Sequence, residues 1–420
     1  MINRLATLVA TRILLLLSLL ALIANVRIWT PASAIYDAPR IQRDVLPQMR
    51  FLRHRLDTGA GEAMQELFPE GYFFMYALYG LAWVDVGLRE ETGSPRRREA
   101  LREGRWALAH LDSTRGKAVF SAELDPPYGV FYVGWRSWLQ GGVLKLQDAG
   151  NRIPGEVARF EADCDALAAA YARSSTPFLK AYPGAAWPVD NTVAIAALRL
   201  HDSLFAPRYA DTITKWCAAA KAKADASTGL LPHEVDPDTG DAVDMPRATS
   251  LSLMTRFLYE IDPVWGRDQY ERYRTRYVAT PLAIPGVREF PRGVSRRGDV
   301  DSGPLVMGLS GSASVVTIGA AQVHGDTRLA LALLNSEEAA GLPMQWGGEK
   351  SYGFGLLPVA DAFIAWSKVS QPWVAAREGS ASSFKALVPS WWRWAIHAET
   401  LVLFTFAWWR VLRRPKPKEV

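Results

Sequence analysis

A signal that recurs every 51 to 59 residues constrains this chain more than any other feature. Each copy opens on aromatic, glycine, proline or acidic residues, runs on as an apolar or small-residue helix, and returns as a second, more charged helix. The clearest copy is Ala186 to Asp202. There Trp187, Pro188, Asp190 and Asn191 open a stretch in which Val193, Ala194, Ala197 and Leu198 recur at helical spacing. Equivalent starts fall near Tyr72, Tyr128, Met245, Asp301 and Tyr352. A helical hairpin with one apolar member cannot bury that member alone, so consecutive hairpins stack on one another. The expected fold is therefore all-α, an (α/α)6 toroid of six helical hairpins over residues 37–371, with the N-termini of its inner helices gathered at one mouth.

The two ends of the chain differ from this middle. Ile13 to Val26 is apolar apart from Ser18 and Asn25, follows Arg4 and Arg12, and leads to Ala32-Ser33-Ala34. Residues 1–34 thus form either a signal anchor or a cleaved signal peptide. Trp391 to Val411 is about one membrane thickness long. It is framed by Trp391, Trp392, Trp394, Trp408 and Trp409, and exits into Arg413, Arg414, Lys416 and Lys418. This predicts a transmembrane helix over 391–411, a basic cytoplasmic tail over 412–420, and a linker over 372–390 that includes the Ala/Ser-rich stretch 376–383. N- and C-terminal membrane segments place the middle of the chain in the periplasm, on a bacterial inner membrane. Arg27 emerges at the level of Glu399 and is expected to pair with it.

Charge follows the same division. The net charge is +5, but the two tails hold +8, which leaves −3 for the middle. A basic balance confined to membrane flanks gives no reason to expect nucleic acid as a partner. Hydrophobic content of 49% and charged content of 22% are globular values that argue against disorder. Cys164 and Cys217 are too few for a disulfide scaffold or a Cys-rich metal site, and stand either as two buried thiols or as one disulfide between adjacent outer helices. No His-Glu-x-x-His or calcium-loop spacing occurs, so neither metal nor cofactor is expected.

With its repeat spacing, Trp187-Pro188-Val189-Asp190-Asn191 and Asp299-Val300-Asp301-Ser302-Gly303-Pro304, the chain resembles the six-hairpin glycosidase-like superfamily. That group includes glucoamylase-type and unsaturated-uronyl hydrolases, sugar epimerases and some polysaccharide lyases. The resemblance implies a glycan ligand and acid/base chemistry at the mouth. The loops that carry Asp and His are also similar in style to the linalool dehydratase-isomerase type of α/α barrel, which implies an isoprenoid substrate. The chemistry of that family involves cysteines, whereas Cys164 and Cys217 are expected on outer helices.

Every inner-helix start carries a carboxylate: Glu70, Asp125, Asp190, Asp244, Asp299 with Asp301, and Glu349. Acids cap helices and suit the positive end of the helix dipole, so most need no further role. Glycoside hydrolysis needs one protonated and one ionised carboxyl about the scissile bond. Asp190, Asp301 and Glu349 are the candidate catalytic acids, because each sits among polar partners and special backbone residues. Tyr128, Trp187, Trp346 and Tyr352 offer flat rings for a sugar face. Asn191, His233, Glu234 and Arg247 offer polar contacts, Arg247 for an acidic sugar. The expected activity is hydrolysis or a related acid/base reaction on a glycan. A non-catalytic glycan-binding or scaffold component of an envelope assembly, with protein partners there, is the alternative from another class.

Overall fold

The computed structural model describes residues 2–29, 41–375 and 384–413. The expected cleavage site at Ala32-Ser33-Ala34, the start of the first charged helix at residues 37–40, the Ala/Ser-rich linker stretch 376–383 and the basic tail 414–420 lie outside the described residues.

The chain is mostly helical, with three small antiparallel sheets and no closed sheet among the described residues. After α1 (Ile2–Arg27), an irregular turn over Ile41–Val45 leads into α2 (Leu46–Asp57). A short α3 (Ala60–Leu67) follows. Then come α4 (Gly71–Gly87), α5 (Pro95–Leu111), α6 (Gly129–Lys145), α7 (Pro154–Arg173), α8 (Pro188–Leu204) and α9 (Ala210–Ala222). The chain continues through α10 (Ala248–Ile261), α11 (Pro263–Tyr277), α12 (Gly311–Val323), α13 (Thr327–Ala340), α14 (Pro358–Val369) and α15 (Trp392–Leu412).

Composition separates two classes of helix. All but one residue of α4 and of α6 is buried, as in helices that are apolar all round. By contrast, α5 and α7 bury only one stripe. Helices α4, α6, α8, α10, α12 and α14 pack each on the next, and α14 returns to α4. Small residues allow this closeness: a Cβ at Gly134 of α6 would lie 3.0–3.1 Å from backbone and Cβ atoms of Ala194 in α8. Outside them, α5 packs on α4 and α6, α7 on α6 and α8, α9 on α8, α11 on α10, α13 on α12, and α2 on α14 and α4. Local signals fix several starts. Ser94 accepts from Arg97 N before Pro95, and Asp262 accepts from Val264 N and Trp265 N after its turn into Pro263.

Glu70 before α4 and Asp190 at the start of α8 share one neighbourhood with Asp301, here the mouth, and Asp85 and Glu260 near the C-termini of α4 and α10 meet at another, the far end. At that second end the ring of Trp373 stacks on Trp138 at 4.5 Å and its Nε1 donates to Asp85 at 2.8 Å. The N–H groups of Trp373, Val374 and Ala375 all donate to Glu260. This segment closes the far end.

Short strands trim the mouth-side connections. β1 (Glu234–Val235) pairs with β2 (Ala242–Asp244); β3 (Val278–Ala279), β4 (Gly286–Arg288) and β5 (Leu309–Ser310) form the second sheet; β6 (Met344–Trp346) pairs with β7 (Glu349–Ser351). Cys164 and Cys217 are both buried and free, so the disulfide alternative does not hold.

Among the described residues one helix is long and apolar enough to cross a membrane, the segment Val9–Arg27 of α1. Helix α15, expected to span, does not reach the same hydropathy; it packs antiparallel on α1. His397 Nδ1 lies 2.5 Å from Asn25 Oδ1, Trp408 Nε1 donates to Ser18 at 3.1 Å, and Arg393 Nε donates to Ile28 O at 2.8 Å. Arg27 lies 3.9 Å from Glu338 of α13.

Candidate functional site

Three acids, Glu70, Asp190 and Asp301, come into one neighbourhood at the mouth. Pro188 begins α8, which places Asp190 in its first turn, nearly out of contact with solvent at 4% exposure. Trp135 of α6 points its Nε1 at Asp190 Oδ1 from 3.4 Å. Burial raises the Asp190 pKa well above the ordinary aspartate value, and the nearby charges of Glu70 and Asp301 push it further in the same direction. Asp301 comes from the long connection before α12. Its residue is solvent-accessible, yet crowding in the mouth raises its pKa, with Asp299 and Glu70 adding to the rise and Arg247 opposing it. Glu70, the residue before α4, accepts a hydrogen bond from Tyr182. Tyr182 itself feels Glu70, Asp190 and Asp301, which places it among the three acids.

A second group lies beside the first, at the start of α10. Arg247 is buried; its Nε donates to Glu289 Oε1 at 2.8 Å, and its Nη2 lies 2.6 Å from Asp299 and its Nη1 3.7 Å from Asp244. Glu289 is fully buried and also accepts from Thr249 at 2.7 Å. Burial pushes Asp299 up, but the Ser302 N–H and Arg247 outweigh it and hold that acid ionised. His233 Nδ1 lies 2.6 Å from Ser250 Oγ, and burial with Arg247 nearby lowers its pKa to about 4. A neutral, hydrogen-bonded imidazole results. Glu234 is half-buried in β1, opposite Asp244.

The other expected site residues divide. Trp187 and Tyr182 meet edge to face at 5.7 Å, and Tyr128 stands half-buried at the start of α6 with a left-handed backbone (φ 72°). Asn191 is fully buried. Its amide accepts from Leu179 N at 2.7 Å and Tyr171 at 2.9 Å and donates to the carbonyls of Leu179 and Trp187, so it ties a loop to α8 and has no capacity left for a ligand. Glu349 pairs with His54 of α2 at 3.2 Å on the rim, in the outer layer. Trp346 is 88% exposed. Tyr352 is buried in the wall, where its hydroxyl donates to Glu338 and accepts from Lys368 at 2.5 Å, so its ring offers no face to a sugar. Asp125 pairs on the surface with Arg173 at 2.7 Å.

Four participants did not stand out from the sequence: Glu70 as more than a cap, Tyr182, Glu289 and Trp135, which by spacing belongs to the core. Tyr182-Pro183-Gly184 just before the clearest repeat was the available signal for one of them. No group of three or more His, Cys, Asp or Glu among the described residues is placed to hold a metal ion. No family model and no curated protein matches the chain.

Proposed function

We propose that the chain is an (α/α)6 toroid, anchored in a bacterial inner membrane by α1 and α15 with its domain in the periplasm, that cleaves a glycan by acid/base chemistry at its mouth. The observation that carries this reading is the pairing of Asp190 and Asp301, two acids with raised pKa values that share one electrostatic neighbourhood with Glu70. Two such carboxyls do not both ionise readily, so a proton stays on the more buried one. Asp190 then donates its proton to the glycosidic oxygen as the C–O bond breaks. Asp301 in its ionised form takes the proton of the water that adds to the anomeric carbon. Trp187 and Tyr182 supply ring surface beside the acids, and Arg247 with Glu289 fixes the loop that carries Asp299 and Asp301. Glu349 has no part in this pair.

The test is product analysis on a glycan panel with the full chain and with Asp190→Asn and Asp301→Asn. Loss of product with retained folding supports the assignment; full activity in both variants removes it. A non-catalytic glycan-binding component is the second reading, favoured by the small exposure of Asp190. It predicts glycan binding with no product from the unaltered chain.

A further inference from the structure

We infer that the mouth face of the domain lies on the lipid bilayer, so that the acids open toward the membrane and receive the polar head of an amphiphile. The substrate half of this inference rests on the glycan reading above and narrows it to a sugar carried on a hydrocarbon tail. The orientation half rests on the reading of α1 and α15 as membrane helices and on four observations about the structure.

The first is where the apolar surface lies. Leu282, Val306, Met307, Trp346, Phe354 and Leu356 are all exposed, Leu356 to 79%, and all sit on mouth-side connections. The exposed large apolar residues on the far-end turns are Ile153 and Val264. Exposed large apolar residues gathered on the connections of one end fit a surface that associates with an apolar partner.

The second is backbone strain. The non-glycine residues with positive φ are Tyr128, Leu282, Ala283, Met307, Leu342 and Phe354, every one on a mouth-side connection. Leu282, Met307 and Phe354 are thus held in a left-handed conformation while projecting to the exterior. A fold gains nothing in water from either feature, and strain of this kind concentrates where a surface is used.

The third is the membrane pair. The C-terminal end of α1 meets the domain: Ile28 packs with Ala339 of α13 and Trp392 of α15, and Arg27 approaches Glu338. Ala339 and Glu338 are at the C-terminal end of α13, which is the mouth end. Helix α15 also touches Pro281–Ala283, on the mouth-side connection that carries Leu282. Trp29, Trp391 and Trp394 cluster at this junction and are exposed, which is the placement of interfacial aromatics. The bilayer surface therefore begins at the level of the mouth. The strap after α14 fits the same geometry: it seals the far end at Trp373, and beyond it Phe384 packs on Tyr270 of α11 while Lys385 O accepts from Arg274.

The fourth is charge. The connection between α11 and α12 carries Arg288, Arg292, Arg296 and Arg297 among its apolar residues, against Glu289, Asp299 and Asp301, and Arg296 lies 3.2 Å from Asp244, so the excess of positive charge is small. Mixed basic and apolar side chains are the composition of surfaces that sit at the headgroup level of anionic lipid.

The experiment places a bimane label on the full chain at Val306→Cys, Leu356→Cys and, on the far end, Val264→Cys, in vesicles of phosphatidylcholine brominated on its acyl chains. Both native thiols are buried, so labelling is confined to the new one. Val306 and Val264 are both well exposed, which makes them a matched pair of positions. The expected result is roughly twofold or greater quenching at 306 and 356 relative to unbrominated vesicles, and none at 264. Quenching at 264 alone, or at none of the three, overturns the orientation. Neither label reads the state of Asp190, so failure of the chemistry and failure of the orientation are seen separately.

Discussion

At the far end, Glu260 accepts three backbone N–H groups and the Arg256 guanidinium, and Trp373 covers it; at the mouth, Asp190 receives one distant indole N–H and faces two more acids. Both carboxyls are buried. The difference lies in what surrounds them. The donors around Glu260 tie the strap to α10 and hold structure together, whereas an acid surrounded by apolar rings and like charges keeps its proton. Asp85 shows that burial alone is not the distinction. It sits at the far end with one Trp373 hydrogen bond, and burial pushes its pKa up to about 7. It differs from Asp190 in being sealed from any ligand. Raised pKa values at the two ends thus have different expected consequences, stability at one and, on the function proposed, chemistry at the other.

Substitutions at the two ends should separate these consequences. The largest expected effect is on turnover: Asp190→Asn lowers it about 10²- to 10⁴-fold, the range for removing a positioned acid, with the thermal midpoint preserved. Trp373→Ala does the converse. It removes a ring packed on Trp138 and costs about 3–5 kcal/mol of stability, read from urea midpoints, with turnover per folded molecule retained. A pH series on the same assay isolates Asp85. Its folded pKa lies above the ordinary 3.8, so the native state binds the extra proton and stability falls as pH rises from 3.8 to about 7. The share of Asp85 in the slope is at most roughly 1.4 kcal/mol per pH unit, and Asp85→Asn should remove that share while leaving those of Asp361 and Glu337, whose pKa values are also raised to about 7. The smallest effect belongs to Trp346→Ala, which changes stability by less than about 0.5 kcal/mol because nothing in the domain packs on that ring.

Much of the fold was legible because its signals are local. Proline and capping residues at Ser94-Pro95, Pro188 and Asp262-Pro263 fix helix starts wherever the rest of the chain lies, and the hairpin period follows from the alternation of apolar and charged helices. Asp190 was legible for the same reason. Asp301 stood out by its Ser-Gly-Pro neighbours, although α12 begins only at Gly311, after an intervening strand. The last repeat misled. Glu349 opens β7 and Tyr352 follows that strand into the wall, and what buries Tyr352 is a cluster of Lys350, Lys368, Glu338 and Asp44, drawn from distant parts of the chain. No spacing rule reports such a contact. The acid at that start was instead Asp361, where Pro358-Val359-Ala360-Asp361 echoes Pro188-Val189-Asp190; it is buried and accepts from Tyr352 N at 3.0 Å. Asn191 shows the opposite limit. A polar side chain beside a candidate acid looks available in sequence, and only the geometry reveals that its amide is already saturated.

The protonation state of Asp190 is the point on which the contrast between the two ends turns. Infrared difference spectra of the full chain minus Asp190→Asn, taken at a pH where ordinary aspartates are ionised, read it directly. The account predicts a protonated-carboxyl C=O band that vanishes in the variant. Identical spectra in that region, with an added carboxylate band in the unaltered chain, would contradict it.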